Sequence, residues 1–136
     1  MPYGRVMSHT SEPPATTAPV TFGYTIAYVG DVRSTLDFFT AAFGLQQRFV
    51  TDEGDYGELD TGPTTLAFAS TELAEANLSS AGGFVPLDPS GRPPAVTITL
   101  LTNDVIGTTD AAVAAGAHPY VAPAVNTPSI TRTLPA

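Results

Sequence analysis

The chain has 136 residues, which is enough for one hydrophobic core and too few for two ordinary domains. Apolar residues make up 43% of the sequence and charged residues 13%, a composition typical of globular proteins and not of disordered chains. Because 5 basic residues stand against 13 acidic ones, the formal net charge is −8, which repels a phosphate backbone and excludes nucleic acid as an expected partner.

The sequence contains no cysteine, which excludes disulfides and thiolate chemistry. The N-terminus has no apolar run of signal-peptide length, and no apolar stretch elsewhere is long enough to span a bilayer. We therefore expect a cytoplasmic protein with no membrane partner.

The first half of the chain predicts a strand followed by a helix. Residues 1–20 are rich in Pro, Ser, Thr and Ala and are predicted to form a disordered tail. The β-branched and aromatic run Tyr24–Val29 predicts a strand. Asp31 is suited to cap a helix whose apolar residues follow helical spacing, and Gly44 lies where a left-handed residue ends such a helix.

Three further strands are predicted after this helix, at residues 47–51, 56–60 and 65–69. Residues 71–94 predict a short helical piece and a loop, which we interpret as a linker between two modules. A strand is then predicted at Val96–Leu101.

A second helix is predicted to begin at Asn103 or Asp104, to run through Ala115 and to be closed by Gly116. Strands are expected at about 119–122 and, between two prolines, at 129–134. A shift of 73 positions superimposes the two strand-helix units, which indicates an internal duplication. The identical pairs are Asp31 and Asp104, Val32 and Val105, Thr35 and Thr108, Asp37 and Asp110, Ala41 and Ala114, and Ala42 and Ala115.

The sequences YTIAYVGDVRSTLDFFTAAFGL and VTITLLTNDVIGTTDAAVAAGA open the two halves, and their pattern resembles the glyoxalase / bleomycin-resistance / extradiol-dioxygenase (vicinal oxygen chelate) superfamily over about residues 21–125. The recurring features are Val29, Asp31, Phe38, Phe39 and Gly44. This resemblance implies an α+β fold of paired βαβββ modules, at 21–70 and 95–136, whose curved mixed sheet surrounds a cup. It also implies a homodimer.

The resemblance further implies where metal ligands would lie. Its metal enzymes place ligands at positions that correspond here to Tyr24, Thr97 and the vicinity of Ala67, and none of these side chains suits a divalent metal. The fourth position belongs to a final strand that the second module is expected to lack, which would leave an open sheet edge. We therefore expect no metal and no cofactor.

The resulting interpretation is a protein that binds and sequesters a small molecule, a drug or a metabolite, as in antibiotic resistance. Two alternatives stay open: a lyase or dioxygenase with unusual ligands such as Glu58, Asp60 or His118, and a truncated copy without function. Strand alternation, and the 73-position shift for the second module, predict the side chains that line the cup. The expected ligand-binding residues are Tyr24, Tyr28, Tyr56, Glu58, Asp60, Thr97 and Thr99. The competing interpretation is that the tyrosines only fill a narrow barrel and that the two carboxylates are solvated.

Overall fold

A computed structural model of the protein describes residues 18–122 and 131–132. The α+β class predicted from the sequence is confirmed. The strands are β1 (Tyr24–Val29), β2 (Gln47–Val50), β3 (Tyr56–Leu59), β4 (Thr65–Ser70), β5 (His118–Pro119) and β6 (Thr131–Arg132), and the helices are α1 (Val32–Phe43), α2 (Thr71–Leu78) and α3 (Val105–Ala114). No helix in the described part of the chain is long and apolar enough to cross a bilayer.

The first four strands form one mixed sheet in the order β1-β4-β3-β2. β1 and β4 run parallel, while β3 is antiparallel to both of its neighbours. The parallel pair requires a long connection, which α1 and the β2-β3 hairpin provide. The three strands predicted after α1 are confirmed, with bounds that differ from the prediction by one residue.

Helix α1 begins and ends where the sequence predicts. The Asp31 carboxylate accepts a hydrogen bond from the backbone N–H of Ser34 at 3.0 Å, which satisfies one of the free donors of the first turn. Gly44 adopts the left-handed conformation with φ 71°, and its N–H donates to the carbonyl of Thr40. A residue with a Cβ would be strained at this φ.

The hydrophobic core lies between α1 and one face of the sheet. It consists of the buried residues Val29, Val32, Leu36, Phe39, Leu59, Leu66 and Phe68. Leu36 and Leu59 are fully buried at 0% exposure. β3 approaches the helix so closely at Gly57 that a Cβ there would lie 2.6 Å from Cδ1 of Leu36. Glycine is therefore required for this packing.

Helix α3 repeats the capping of α1, as the internal duplication predicts. The Asp104 carboxylate accepts from the backbone N–H of Gly107 at 2.9 Å, and Gly116 follows the helix with a positive φ of 115°. The helix packs against α1 through a cluster of small side chains, Ala42, Ala112 and Ala117.

The prediction of a strand at Val96–Leu101 is wrong. These residues belong to no helix or strand, and most of them are exposed. In the first half, β1 is held by its hydrogen bonds to β4. Within the described residues, the only strands after α3 are β5 and β6, and they pair with each other. A segment with strand-like residues and no partner leaves its backbone groups to water and forms no ladder.

The structure shows only short parts of the strands predicted near the C-terminus. The strand expected at about 119–122 is observed as β5, two residues long and shifted toward His118. β6 lies within the segment predicted at 129–134, and the rest of that segment lies outside the described residues. The division into modules at residues 71–94 stays a prediction.

Candidate ligand-binding groove

The face of the four-stranded sheet opposite α1, here called the open face, carries alternate side chains of each strand. On β1, Tyr24 and Ile26 are 53% and 44% exposed, whereas Val29 is buried in the core under α1. On β3, Leu59 is buried under α1, and Tyr56 and Glu58 lie on the open face. The alternation predicted for these two strands is confirmed.

The open face carries small side chains along β4 and larger ones on either side of it. β4 contributes only three small and buried side chains to this face, Thr65, Ala67 and Ala69. The neighbouring strands place larger side chains in register with them: Tyr24, Ile26 and Tyr28 from β1, and Tyr56 and Glu58 from β3. We call this strip of the open face, with β4 as its floor and the side chains of β1 and β3 as its walls, the groove. A floor of small side chains between aromatic walls suits a flat ligand.

Two further aromatic rings extend the walls of the groove. Phe84, from the segment after α2, packs edge-on against Tyr28 with a centroid distance of 5.2 Å. On the other side, the ring of Phe49 lies 6.3 Å from that of Tyr56, and Phe49 is 48% exposed. The walls are therefore aromatic on both sides of the floor.

A polar network occupies the wall formed by β2 and β3. The hydroxyl of Tyr56 donates to Oε2 of Glu58 at 2.8 Å, and Nε of Arg48 lies 3.7 Å from Oε1 of the same carboxylate. Nη2 of Arg48 donates to the carbonyl of Leu59 at 3.2 Å and to Oγ1 of Thr65 at 2.9 Å. Arg48 thus reaches across β3 to the floor of the groove and neutralises Glu58.

Burial raises the pKa of Tyr56 well above its ordinary value, and the hydrogen bond and negative charge of Glu58 raise it further. Tyr24 contributes in the same direction, while the positive charge of Arg48 acts in the opposite one. The hydroxyl of Tyr56 therefore keeps its proton throughout the physiological range. It acts as a hydrogen-bond donor and not as a base.

The structure brings together four of the seven residues predicted to bind a ligand. Tyr24, Tyr28, Tyr56 and Glu58 share the open face. Asp60 is exposed one residue beyond the end of β3, where its backbone N–H donates to the carbonyl of Gln46 at 2.8 Å. Thr97 and Thr99 are exposed and belong to no strand. The prediction that a strand carries them on the opposite wall is therefore wrong, because the segment that contains them pairs with no other strand. Whether the remaining residues bind a ligand stays a prediction.

Sequence reasoning missed Arg48 and Phe49. Both lie on the groove because the pairing of β2 with β3 shifts between Gln47 and Phe49. Such a bulge inserts one extra residue and places two successive side chains on the same face. Regular alternation would place them on opposite faces. In the sequence, the only hint that Arg48 belongs to the groove is that it is a lone charge within a predicted strand. The bulge itself depends on the partner strand.

An open cleft of about 330 Å³ lies where β1 and β4 end and α1 begins. Its carboxylates come from Asp31, Glu53, Asp55 and Glu72. Two of these already have structural roles, because Asp31 caps α1 and Asp55 accepts from the Thr51 hydroxyl at 2.6 Å. We therefore regard this cleft as a hydrogen-bonded corner of the fold and the groove as the candidate site.

The side chains of the open face do not fit the divalent metal of the family's enzymes. The two positions of this face at which the resemblance predicts ligands hold the phenol of Tyr24 and the methyl group of Ala67. The carboxylate of Glu58 is engaged by Arg48 and Tyr56. In the portion of the chain that the structure describes, no three His, Cys, Asp or Glu side chains gather in a way that could hold a metal ion.

Comparison with known proteins gives a family match and several similar structures. Residues 21–127 match the family model of the Glyoxalase/Bleomycin resistance protein/Dioxygenase superfamily. No match was found among curated proteins.

The similar solved structures support the fold. A glyoxalase/bleomycin resistance protein/dioxygenase family enzyme from Burkholderia phytofirmans PsJN has a TM-score of 0.58 and 22% identity, covering 77% of this chain and 80% of that one. A glyoxalase/bleomycin resistance protein/dioxygenase from Nocardioides has a TM-score of 0.56 and 19% identity, covering 81% and 71%. A lactoylglutathione lyase from Agrobacterium tumefaciens has a TM-score of 0.51 and 16% identity, covering 77% of each chain. At these identities the likeness concerns the fold alone.

Proposed function

Because the chain belongs to the Glyoxalase/Bleomycin resistance protein/Dioxygenase superfamily, we propose that it binds a small aromatic molecule, a drug or a metabolite, in the groove and sequesters it without a metal. The observation that carries this proposal is the groove itself, in which a floor of small side chains on β4 lies between exposed aromatic rings. Clusters of exposed aromatic side chains beside a few polar groups are typical of ligand sites.

The size of the groove's contribution can be estimated from surface burial. A flat bicyclic ligand that removes about 200 Å² of apolar surface from water gains roughly 5 kcal/mol. Association costs at least about 4 kcal/mol in lost translational and rotational freedom. Apolar contact alone therefore supports only weak binding, and the polar network on the β3 wall has to supply the remaining affinity and the specificity.

The competing function is a lyase or dioxygenase that uses unusual metal ligands. The Agrobacterium lyase shares the fold, and Glu58 faces the groove. Asp60, however, lies beyond the end of β3, and His118 is exposed on β5. Since these three side chains do not form a metal-binding group, sequestration agrees better with the chemistry of the groove.

The proposal is tested by a thermal-shift screen of aromatic antibiotics and metabolites, followed by calorimetry on the hits. A ligand present at 100 times its Kd should stabilise the protein by about 2.7 kcal/mol. Tyr24→Ala should weaken binding, whereas Tyr120→Ala removes a tyrosine of similar exposure, 56% against 53%, outside the groove and should not. Binding to no compound of a broad panel, or stoichiometric metal in protein purified without chelator, would contradict the proposal.

We also propose that the working state is a homodimer. Among the strands that the structure describes, β1 is an edge of the sheet with a neighbour on one side only, and the residues that lead into it include the exposed Val20 and Phe22. A second copy placed along this edge would satisfy backbone groups and cover apolar surface. Sedimentation velocity at micromolar concentration should give the mass of a dimer, and a monomer would contradict this proposal. A cytoplasmic location stays a prediction.

A further inference from the structure

We propose that the groove selects flat aromatic ligands that carry an anionic group and rejects cationic ones, and that Arg48 sets this preference. This inference rests on the proposed binding function and names its ligand class. It depends on Arg48 and Glu58, the charged pair on the groove wall. The two side chains differ in how far they are exposed and in how many of their polar atoms already bond to the protein.

Glu58 offers little negative charge to a ligand. Its side chain is 14% exposed, one oxygen accepts from Tyr56, and the other faces Arg48. A cationic ligand at this carboxylate would have to displace Arg48 or stand beside it. Either arrangement places two positive charges around one carboxylate, which is an unfavourable contact of the kind that excludes a wrong partner.

Arg48 is the more accessible member of the pair, with a side chain that is 41% exposed. Its Nη2 group is fixed by the carbonyl of Leu59 and the hydroxyl of Thr65, so the guanidinium is held at the floor of the groove. A guanidinium has five N–H donors, and the two bonds of Nη2 leave further donors to meet a ligand. Carboxylate and sulfonate groups are the acceptors that match this planar fork best.

The aromatic rings lie where the rest of such a ligand would extend. Tyr24 is paired in register with Thr65, which Arg48 contacts, and Phe49 is paired with Glu58. Both rings are about half exposed. A ligand whose acid group meets Arg48 can therefore place its ring system along the β4 floor, between these two side chains.

The net charge of −8 opposes an anionic ligand at long range. At physiological salt, however, charges separated by more than about 8 Å are largely screened. The contact with Arg48 is short and partly shielded from water, so it decides the preference. A hydrogen bond to a charged group corresponds to about tenfold in affinity.

The test uses three probes with one ring system: 2-naphthoate, 2-naphthamide and 2-naphthylmethylammonium. Calorimetry on the full chain at physiological salt should show naphthoate binding about tenfold more tightly than the ammonium probe, with the amide between them. Arg48→Gln should remove this preference, and Arg48→Lys should retain part of it. Glu58→Gln should tighten naphthoate binding, since the carboxylate no longer repels the anion. Arg33→Gln, on the helix that packs against the other face, removes the same charge and should leave the ratios of the probe affinities unchanged.

The outcomes separate the two proposals. If the wild type binds all three probes alike or prefers the ammonium probe, the charge preference is wrong while ligand binding stands. If Arg48→Gln fails to fold, Glu58→Gln and Arg48→Lys still decide, and unchanged probe ratios in both would overturn the inference. If no probe binds, this inference fails, while the proposed function is decided separately by the broad panel of aromatic compounds.

Discussion

The contact between Gly57 and Leu36 gives the sharpest test of the packing under the groove. In Gly57→Ala the added Cβ would lie 2.6 Å from Cδ1 of Leu36 and 3.3 Å from Cγ1 of Val32. Leu36 is fully buried, so it cannot move away without displacing other core side chains. Overpacking of this kind costs about 1–3 kcal/mol, and the reduced freedom of the unfolded chain offsets about 0.4–1 kcal/mol of it.

The expected net loss is about 1–2 kcal/mol, equivalent to roughly 3–9 °C in Tm for a domain of this size. Gly23→Ala is the matched control, because its Cβ would meet no atom within 4 Å and its φ is not positive. The control should be as stable as the wild type or slightly more so. Urea denaturation of the two variants measures the difference. If Gly57→Ala proves as stable as Gly23→Ala, then Leu36 does not pack against β3 as described and the reasoning is refuted.

Three further predictions concern α1 and the polar network of the groove. Asp31→Ala should lower the free energy of unfolding by about 0.5–2 kcal/mol through loss of the N-cap, whereas the exposed Asp37→Ala should not lower it. Gly44→Ala should cost about 1–2 kcal/mol because of its positive φ, and Gly30→Ala, which meets no atom within 4 Å, should be nearly neutral; denaturant midpoints of the pair give the comparison. Folding raises the pKa of Tyr56. The contribution of the protonated hydroxyl to the free energy of unfolding is therefore fully present below about pH 10 and is lost as the pH rises further. Urea titrations between about pH 9 and 11 should therefore show a steeper decline for the wild type than for Tyr56→Phe, and equal slopes would contradict this.

The parts of the fold that follow local rules could be predicted from the sequence. Asp31 and Gly44 fix the ends of α1 through a side-chain hydrogen bond and a left-handed φ, which depend only on nearby residues. The alternation of β1 likewise identified Tyr24 as a residue of the groove. Two features depend on distant partners and were not predicted. The segment at 96–101 has strand-like residues but no partner, and Arg48 faces the groove because of how β2 pairs with β3.

Because of the bulge in β2, deletion of a single residue would change which side chains face the groove, without any substitution. Because one extra residue lies between Gln47 and Val50, the strand presents both a ring and a positive charge on the same face. Deleting Phe49 would restore regular alternation and leave the charge, while deleting Arg48 would leave the ring alone beside Glu58. Relatives with a β2 shorter by one residue would then differ in the ligands they accept even if every aligned groove residue were identical. Under the proposed function, strand length as well as residue identity would therefore set ligand preference, and a comparison of residue identities alone would not detect this.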